Sequence, residues 1–265
     1  MRNYEIYPKA PVALVVIEAR HSASEALEPG QLQRLRSMVS TSFPLSQPVT
    51  QQKFEVAAGG APVLQSQFSP RYVTRDQMTA VTFNTDSLVV ETTNHQGFSH
   101  LMDLIKIVVK ARQSVSPVEG LLRLGIRYVD EIRVPDSMED LSGWRDWIEP
   151  SLLGPVNLAK DLNFVAEQWQ GVAVFDIGQD RKLVVRYGPR EGFAVAPGAP
   201  LQRATPPPGP FFLLDTDSFW SASGDVPEFE VDKILGLASN LHDAASTLFE
   251  NLVTEKLKEE VFRNV

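Results

Sequence analysis

Between residues 121 and 134 the chain reads LLRLGIRYVDEIRV, alternating apolar and polar side chains for longer than an ordinary strand. Leu122, Leu124, Ile126, Tyr128, Ile132 and Val134 fall on one face, and Arg123, Gly125, Arg127, Glu131 and Arg133 on the other. Period-two geometry predicts a strand with one side on a core and a basic side turned elsewhere. Val129 and Asp130 interrupt the alternation and mark a candidate bulge. Alternation of this kind belongs to antiparallel sheets covered on one face.

Two passes of similar patterning surround this stretch. Residues 12–18, VALVVIE, are β-branched and follow Pro11, which predicts a buried strand. A helix follows from Pro29, with Leu32, Leu35, Met38 and Val39 on one face and a stop at Phe43-Pro44. Residues 47–56 read as a strand, and the Gly, Ala, Pro, Ser and Gln content of residues 57–69 reads as a loop. Strands are predicted over 72–74, 80–84 and 87–93, the last two joined through Thr85-Asp86, before a helix carrying Phe98, Leu101, Met102, Ile105, Val108 and Val109.

After the central strand, Ser137 and Asp140 are spaced as a capping box for a short helix with Leu141, Trp144 and Ile148 on one face, ending at Pro150. Residues 163–177 and 182–187 read as a hairpin turning at Gly178-Gln179-Asp180, residues 188–210 as a breaker-rich loop, and residues 211–220 as a strand. A helical region begins near Pro227. Its seam of Ile234, Ala238, Leu241, Ala245, Leu248 and Leu252 breaks near Val253-Thr254. Residues 12–112 and 121–252 thus each run strand, helix, several strands, long helix. The expected fold is α+β, with two similar β-α-β(n)-α halves, 1–116 and 117–265. Each half is a curved antiparallel sheet with its helices on one face. The pattern leaves open whether the two sheets merge.

A chain of 265 residues that is 43% hydrophobic has enough apolar material for a core. Its net charge of -8 argues against nucleic acid as a partner, since backbone phosphates are met by surplus Lys and Arg. With no cysteine there is no disulfide, thiolate nucleophile or cysteine metal site, as fits a cytoplasmic protein. The N-terminal apolar run is interrupted by Glu18 and Arg20 and is too short to span a bilayer, so no membrane partner is expected.

Candidate chemistry is sparse. His21, His95, His100 and His242 show no ligand spacing, so no metal or other cofactor is expected. The motifs GxGxxG, GxxxxGK[ST] and GxSxG do not occur, and GPREG at 188–192 follows a strand without opening a helix. Asp215 and Asp217 lie two apart in FFLLDTDSFW and point the same way on a strand. They could hold a divalent cation, although solvated strand carboxylates are the commoner case. Arg123, Arg127 and Arg133 form the best polar feature, suited to an anion, a nucleotide or a partner's acids, with cross-strand pairing to the chain's own acids as the ordinary alternative. Trp144, Trp147, Trp169 and Trp220 read as core.

The central GIRYVDEIRVP, the FFLLDTDSFW strand and the ending LHDAASTLFENLVTEKLKEEVF together resemble a sporadically distributed bacterial family of conserved hypothetical proteins. The likeness covers nearly the whole chain. Its closing pattern falls on His242, Phe249, Thr254 and Leu257, while Ala10-Pro11-Val12 stands for an opening with two prolines and Val129 for an isoleucine. The resemblance implies an accessory bacterial gene in a defence or toxin-antitoxin setting and carries over no catalytic residue.

The leading expectation is a non-enzymatic interaction or regulatory protein that meets a protein partner through its sheet face and C-terminal helices. A homodimer results if the helical seam zips to a second copy. The alternative is a sensor or enzyme for a phosphorylated small molecule or nucleotide, using Arg123 and Arg127 with Asp215 and Asp217.

Overall fold

The alternating stretch forms β8 (Leu121–Ile132), which pairs antiparallel with β1 (Val12–His21). A computed structural model describes residues 5–55, 63–135, 141–159 and 161–264, with the backbone alone for 51–55 and 63–67. In it these two strands are the middle of one nine-stranded sheet, antiparallel at every pair. Outward from β1 lie β7 (Ser87–Thr92), β6 (Thr79–Phe83), β5 (Arg71–Val73) and β2 (Leu45–Ser46). Outward from β8 lie β11 (Gly209–Ser221), β10 (Arg181–Gly192) and β9 (Gly171–Gly178). Each half therefore sets its first strand at the centre, its last strand next, and the preceding strands towards the edge. The α+β class stands, and the two halves share a single sheet.

All the helices cover one face. Helix α1 (Pro29–Val39) buries Leu35 and Val39, and α2 (Phe98–Val115) buries Leu104 and Val108, against Tyr72, Val81, Phe83, Leu88 and Val90. The central core joins Val15, Ile17 and Ala19 of β1 and Leu121, Leu124 and Ile126 of β8 to α2 and to α4 (Val231–Leu252). In α4 the seam residues Ile234, Ala238, Leu241 and Ala245 are buried in that core, so the seam packs on its own sheet rather than on a second copy. Replacing a fully buried leucine such as Leu241 by Ala would cost about 2 to 5 kcal/mol through lost transfer energy and the cavity left behind. A third cluster gathers Trp144, Trp147, Ile148, Leu152 and Leu153 against Ile132, Val185, Phe212 and Leu214. The short α3 (Val156–Ala159) follows it.

Several local expectations are corrected. The loop expected over 57–69 gives way at Val63 to β4 (Val63–Ser69), which pairs with β3 (Val49–Glu55) in a separate two-stranded ribbon. Strand pairing here overrides a turn-rich composition. The capping-box residues Ser137 and Asp140 lie outside the described residues. Beyond them the expected helix is two 3-10 turns, Leu141–Asp146 and Pro150–Leu153, and Pro150 opens the second rather than ending a helix. Strand β9 begins at Gly171, not 163, and β10 runs on through GPREG to Gly192 because β11 pairs with it along that whole length. Val129 and Asp130 are not bulged in β8, whose register with β11 is unbroken. The irregularity lies across from them, between Val12 and Leu14 of β1.

Among the described residues the other face carries no helix. The segment 193–208 crosses it as a strap: Leu201 packs on Val73 and Ala80, and the Gln202 amide donates to the Gln77 carbonyl at 2.9 Å. None of the described helices is long and apolar enough to cross a membrane.

Candidate functional site

The arginine row lies on the strap side of the sheet, where the odd positions of β8 point. Strand pairing sets Arg127 opposite Asp217 and beside Asp215. Arg127 donates to both oxygens of Asp215, from Nε at 2.6 Å and Nη2 at 2.8 Å, while Arg186 of β10 stands 3.8 Å from the same carboxylate. Arg123 is shared between Glu18 of β1 at 3.0 Å and Asp217 at 3.4 Å. Its guanidinium lies across Gly125, where a Cβ would come within 2.8 Å of Nη1, and over the Phe219 ring. Burial pushes the Asp217 carboxyl up, against the pull of Arg123 and Arg127.

Arg133 donates to Glu131 at 2.8 Å and to the Gly192 carbonyl at 2.6 Å. Glu131 also accepts from Arg203 at 2.8 Å and from the Ala194 amide at 2.9 Å, which ties the strap to β8. Burial works to raise the Glu131 carboxyl, but Arg203, the Ala194 amide and Arg133 outweigh it and hold it below its ordinary range. Arg123, Arg127, Asp215 and Asp217 are thus brought together, and what neutralises the arginines is the chain's own acids. None of these four lines the cavity beside α4 and the N-terminal segment, the groove between β9 and α4, or the cleft under the strap. Arg133 lines the last of these, with Glu131 and Arg203.

A different site lies on the helix side of the same strand. Asp130 keeps the even phase of Leu124, Ile126 and Tyr128, so β8 aims a carboxyl at the core. It is 3% exposed, and no described side chain or amide hydrogen-bonds or ion-pairs with it. Burial, with a smaller push from Asp215, raises its pKa to about 8, so the acid is mostly protonated at neutral pH. It forms part of the floor of a cavity of about 240 Å³, together with Tyr128 and with Thr216 of β11.

The walls come from separate segments. His242, Ala245, Ser246 and Phe249 are contributed by α4, and Phe98 by the first turn of α2. His95 and Gly97 precede that turn; Gly97 holds φ +93°, a backbone region that a side chain would strain. The N-terminal residues Tyr7, Pro11 and Val12 close the remaining side. Tyr7 donates to Glu250 at 2.9 Å, the Lys9 amide donates to the Phe262 carbonyl at 3.0 Å, and Arg263 pairs with Glu5. Residues 5–9 are thus clasped to residues 250–263 beside the cavity.

Inside, the Tyr128 hydroxyl and His242 Nδ1 are hydrogen-bonded at 2.9 Å, and the His242 ring stacks on Phe98 at 3.8 Å. His95 meets the Tyr128 ring edge-on at 5.9 Å. Burial drives both imidazoles down to about 4, His95 also feeling His100 and His242 feeling His95, so both are neutral at neutral pH. Burial likewise pushes the Tyr128 phenol far up. Ser246 lies 3.2 Å and 3.4 Å from the two ring nitrogens of His242, across the imidazole rather than on one lone-pair axis. This is not the geometry of a hydroxyl activated by a base.

The alternation pattern drew attention to the arginines and passed over Asp130. The available signal was the phase itself: a carboxyl in the apolar register of an otherwise regular strand. Two of the positions that carry the family resemblance, His242 and Phe249, line this cavity, while Thr254 caps the turn after α4 by accepting from the Leu257 amide at 3.2 Å. No protein-family model matches the chain and no curated protein matches it, so the functional reading rests on these residues.

Proposed function

We propose that the chain is a non-enzymatic sensor that takes a small organic molecule in the cavity between β8, α2 and α4. One observation carries the reading: Asp130 is buried at the cavity without a partner from the described residues. A buried, unpaired acid costs stability, and such groups persist where a function uses them. The described lining residues include no Lys or Arg, which favours a ligand without a phosphate. The geometry of Ser246 across His242, which is not that of an activated nucleophile, favours binding over turnover. A cytoplasmic location and a bacterial accessory role remain part of the proposal, supported by the absence of cysteine and by the resemblance described above.

The test is a fragment screen by ligand-observed NMR on the wild type and on Ser246→Phe, which projects a ring into the cavity from α4. Fragments should bind the wild type and lose binding in the variant. A blank screen, or hits indifferent to the substitution, would remove the reading.

A second reading is favoured by strand β9, which is the last strand on its side of the sheet and exposes Val172, Val174 and Phe175 beside exposed Phe164 and Val165. An apolar free edge suits a protein partner that adds a strand. Val174→Lys should leave the fold intact and abolish association measured by sedimentation. Association that survives the lysine would place the partner elsewhere.

A further inference from the structure

The cavity has a charge signature as well as a shape. Among the described residues its ionisable lining consists of Asp130, Glu5 and Glu250 together with two tyrosines and two imidazoles, with no Lys or Arg among them. Glu5 and Glu250 are already engaged, with Arg263 and with Tyr7 and Lys258, whereas Asp130 is not. An anion entering would meet carboxyls without a compensating cation. A cation entering would gain an ion pair in a site shielded from water.

The walls favour the same charge. Tyr7, Phe98, Tyr128 and Phe249 present aromatic surface, and ring faces attract desolvated cations. Size limits the body of the ligand. A cavity of about 150 Å³ holds benzene, so this one has room for about ten non-hydrogen atoms.

We propose that the cavity is a binding site for a small organic cation, an ammonium group on a compact apolar body, with the Asp130 carboxylate as its counter-ion. The inference rests on the sensor reading and adds the chemical class of the ligand. It also requires that binding release a proton, because Asp130 must ionise to act as counter-ion. The groups around Asp130 are Tyr128 on its own strand, Asp215 and Thr216 on β11, His242 and Glu250 on α4, His95 ahead of α2, and Glu5 and Tyr7 on the N-terminal segment. The imidazoles titrate near 4 and both phenols are pushed far up, so neither pair changes charge between about pH 6.5 and pH 8.5.

Three probes of one shape and different charge test this: choline, the neutral alcohol in which carbon replaces its nitrogen, and ionised tert-butylacetic acid. Binding to the full chain is measured by titration calorimetry at about pH 6.5 and pH 8.5, on the wild type and on Asp130→Asn. Choline should bind roughly tenfold more tightly than the alcohol at the higher pH, and its affinity should rise roughly tenfold between the two pH values as Asp130 ionises. Asp130→Asn should abolish both the preference and the pH dependence while remaining folded by circular dichroism. The carboxylate should not bind.

If the alcohol or the carboxylate binds as well as choline, or if Asp130→Asn leaves choline binding unchanged, the cation inference is overturned and the cavity remains a small-molecule site. If no probe binds although screened fragments still do, the inference alone falls. If the fragment screen is blank as well, the sensor reading falls with it.

Discussion

Asp130 and Glu131 are neighbours in β8, both nearly shielded from solvent, and their carboxyls are driven in opposite directions. Glu131 points to the strap side, where Arg133, Arg203 and the Ala194 amide converge on it, and it is held ionised. Asp130 points to the helix side, meets apolar and neutral groups, and is held protonated. Burial alone therefore does not fix the state of a carboxyl; the supply of donors does. On one side of the sheet the charge problem has been solved with the chain's own residues. On the other it is left open beside a cavity.

The largest test of this contrast is Asp130→Asn. A carboxyl with an ordinary pKa of 3.8 that rises to about 8 in the fold loses stability as pH climbs, because the unfolded chain releases the proton first. At about pH 7 that amounts to about 4 kcal/mol, so the amide variant should be the more stable protein by that order in urea titrations. A neutral or destabilising result would mean that the native carboxyl is paired, and the contrast with Glu131 would collapse.

The pH profile of the wild type sharpens the comparison. His95 and His242, lowered from 6.5 to about 4, remain uncharged in the fold while the unfolded chain takes up protons, so stability falls as pH drops below about 6.5. Asp130 opposes them on that side and is the dominant of the three above it. From these three groups stability should peak near pH 6.5, with a net fall of about 2 kcal/mol by pH 4 and about 1 kcal/mol by pH 8. In Asp130→Asn the alkaline decline should vanish and the acid decline should steepen. A wild-type curve that is flat between about pH 6.5 and pH 8 would show that Asp130 is ionised in the native protein.

On the strap side, Glu131→Gln keeps the shape but sets an amide against guanidinium and amide donors, which should cost about 2 to 3 kcal/mol. Amide exchange should accelerate first at Ala194 and Gln202, where the strap is fastened. Slow exchange in the variant would mean that Leu201 holds the strap without the charge cluster. The smallest effect belongs to Arg127→Ala, about 1 to 2 kcal/mol, because the guanidinium is half exposed and Arg186 still faces Asp215. Melting curves unchanged by that substitution would reopen Arg127 as a group kept for an external acid.

Periodicity was enough to recover much of the architecture. The alternation through β8, the amphipathic α2 and the seam of α4 are local patterns of apolar spacing, and burial followed them except at Leu122, which is 41% exposed where β8 and β1 shift register and Leu121 is buried instead. Leu35 and Val39 of α1 and the tight turn between β9 and β10 were equally legible; in that turn Gln179 and Asp180 take φ 56° and 59°, as the turn requires. The expected duplication is not confirmed: the first half has the eleven-residue α1 after its first strand, whereas the second has two 3-10 turns and the four-residue α3. The union of the strands of both halves in one sheet was not legible, because pairing between β1 and β8 joins residues about a hundred positions apart.

What the sequence by itself determined is the one-dimensional content of this protein: which segments are strand or helix, which face of each is apolar, and that three arginines share a strand face. Only the tertiary structure decided what each charge meets. Arg127 is neutralised because β11 brings Asp215 beside it, and Glu131 because a strap seventy residues downstream returns over it. Asp130 is left alone because none of the described residues that β8, β11, α2, α4 and the N-terminal segment bring to its cavity is a lysine or arginine. Apolar spacing is a property of neighbours in the chain, whereas desolvation and pairing depend on groups that are neighbours only in space.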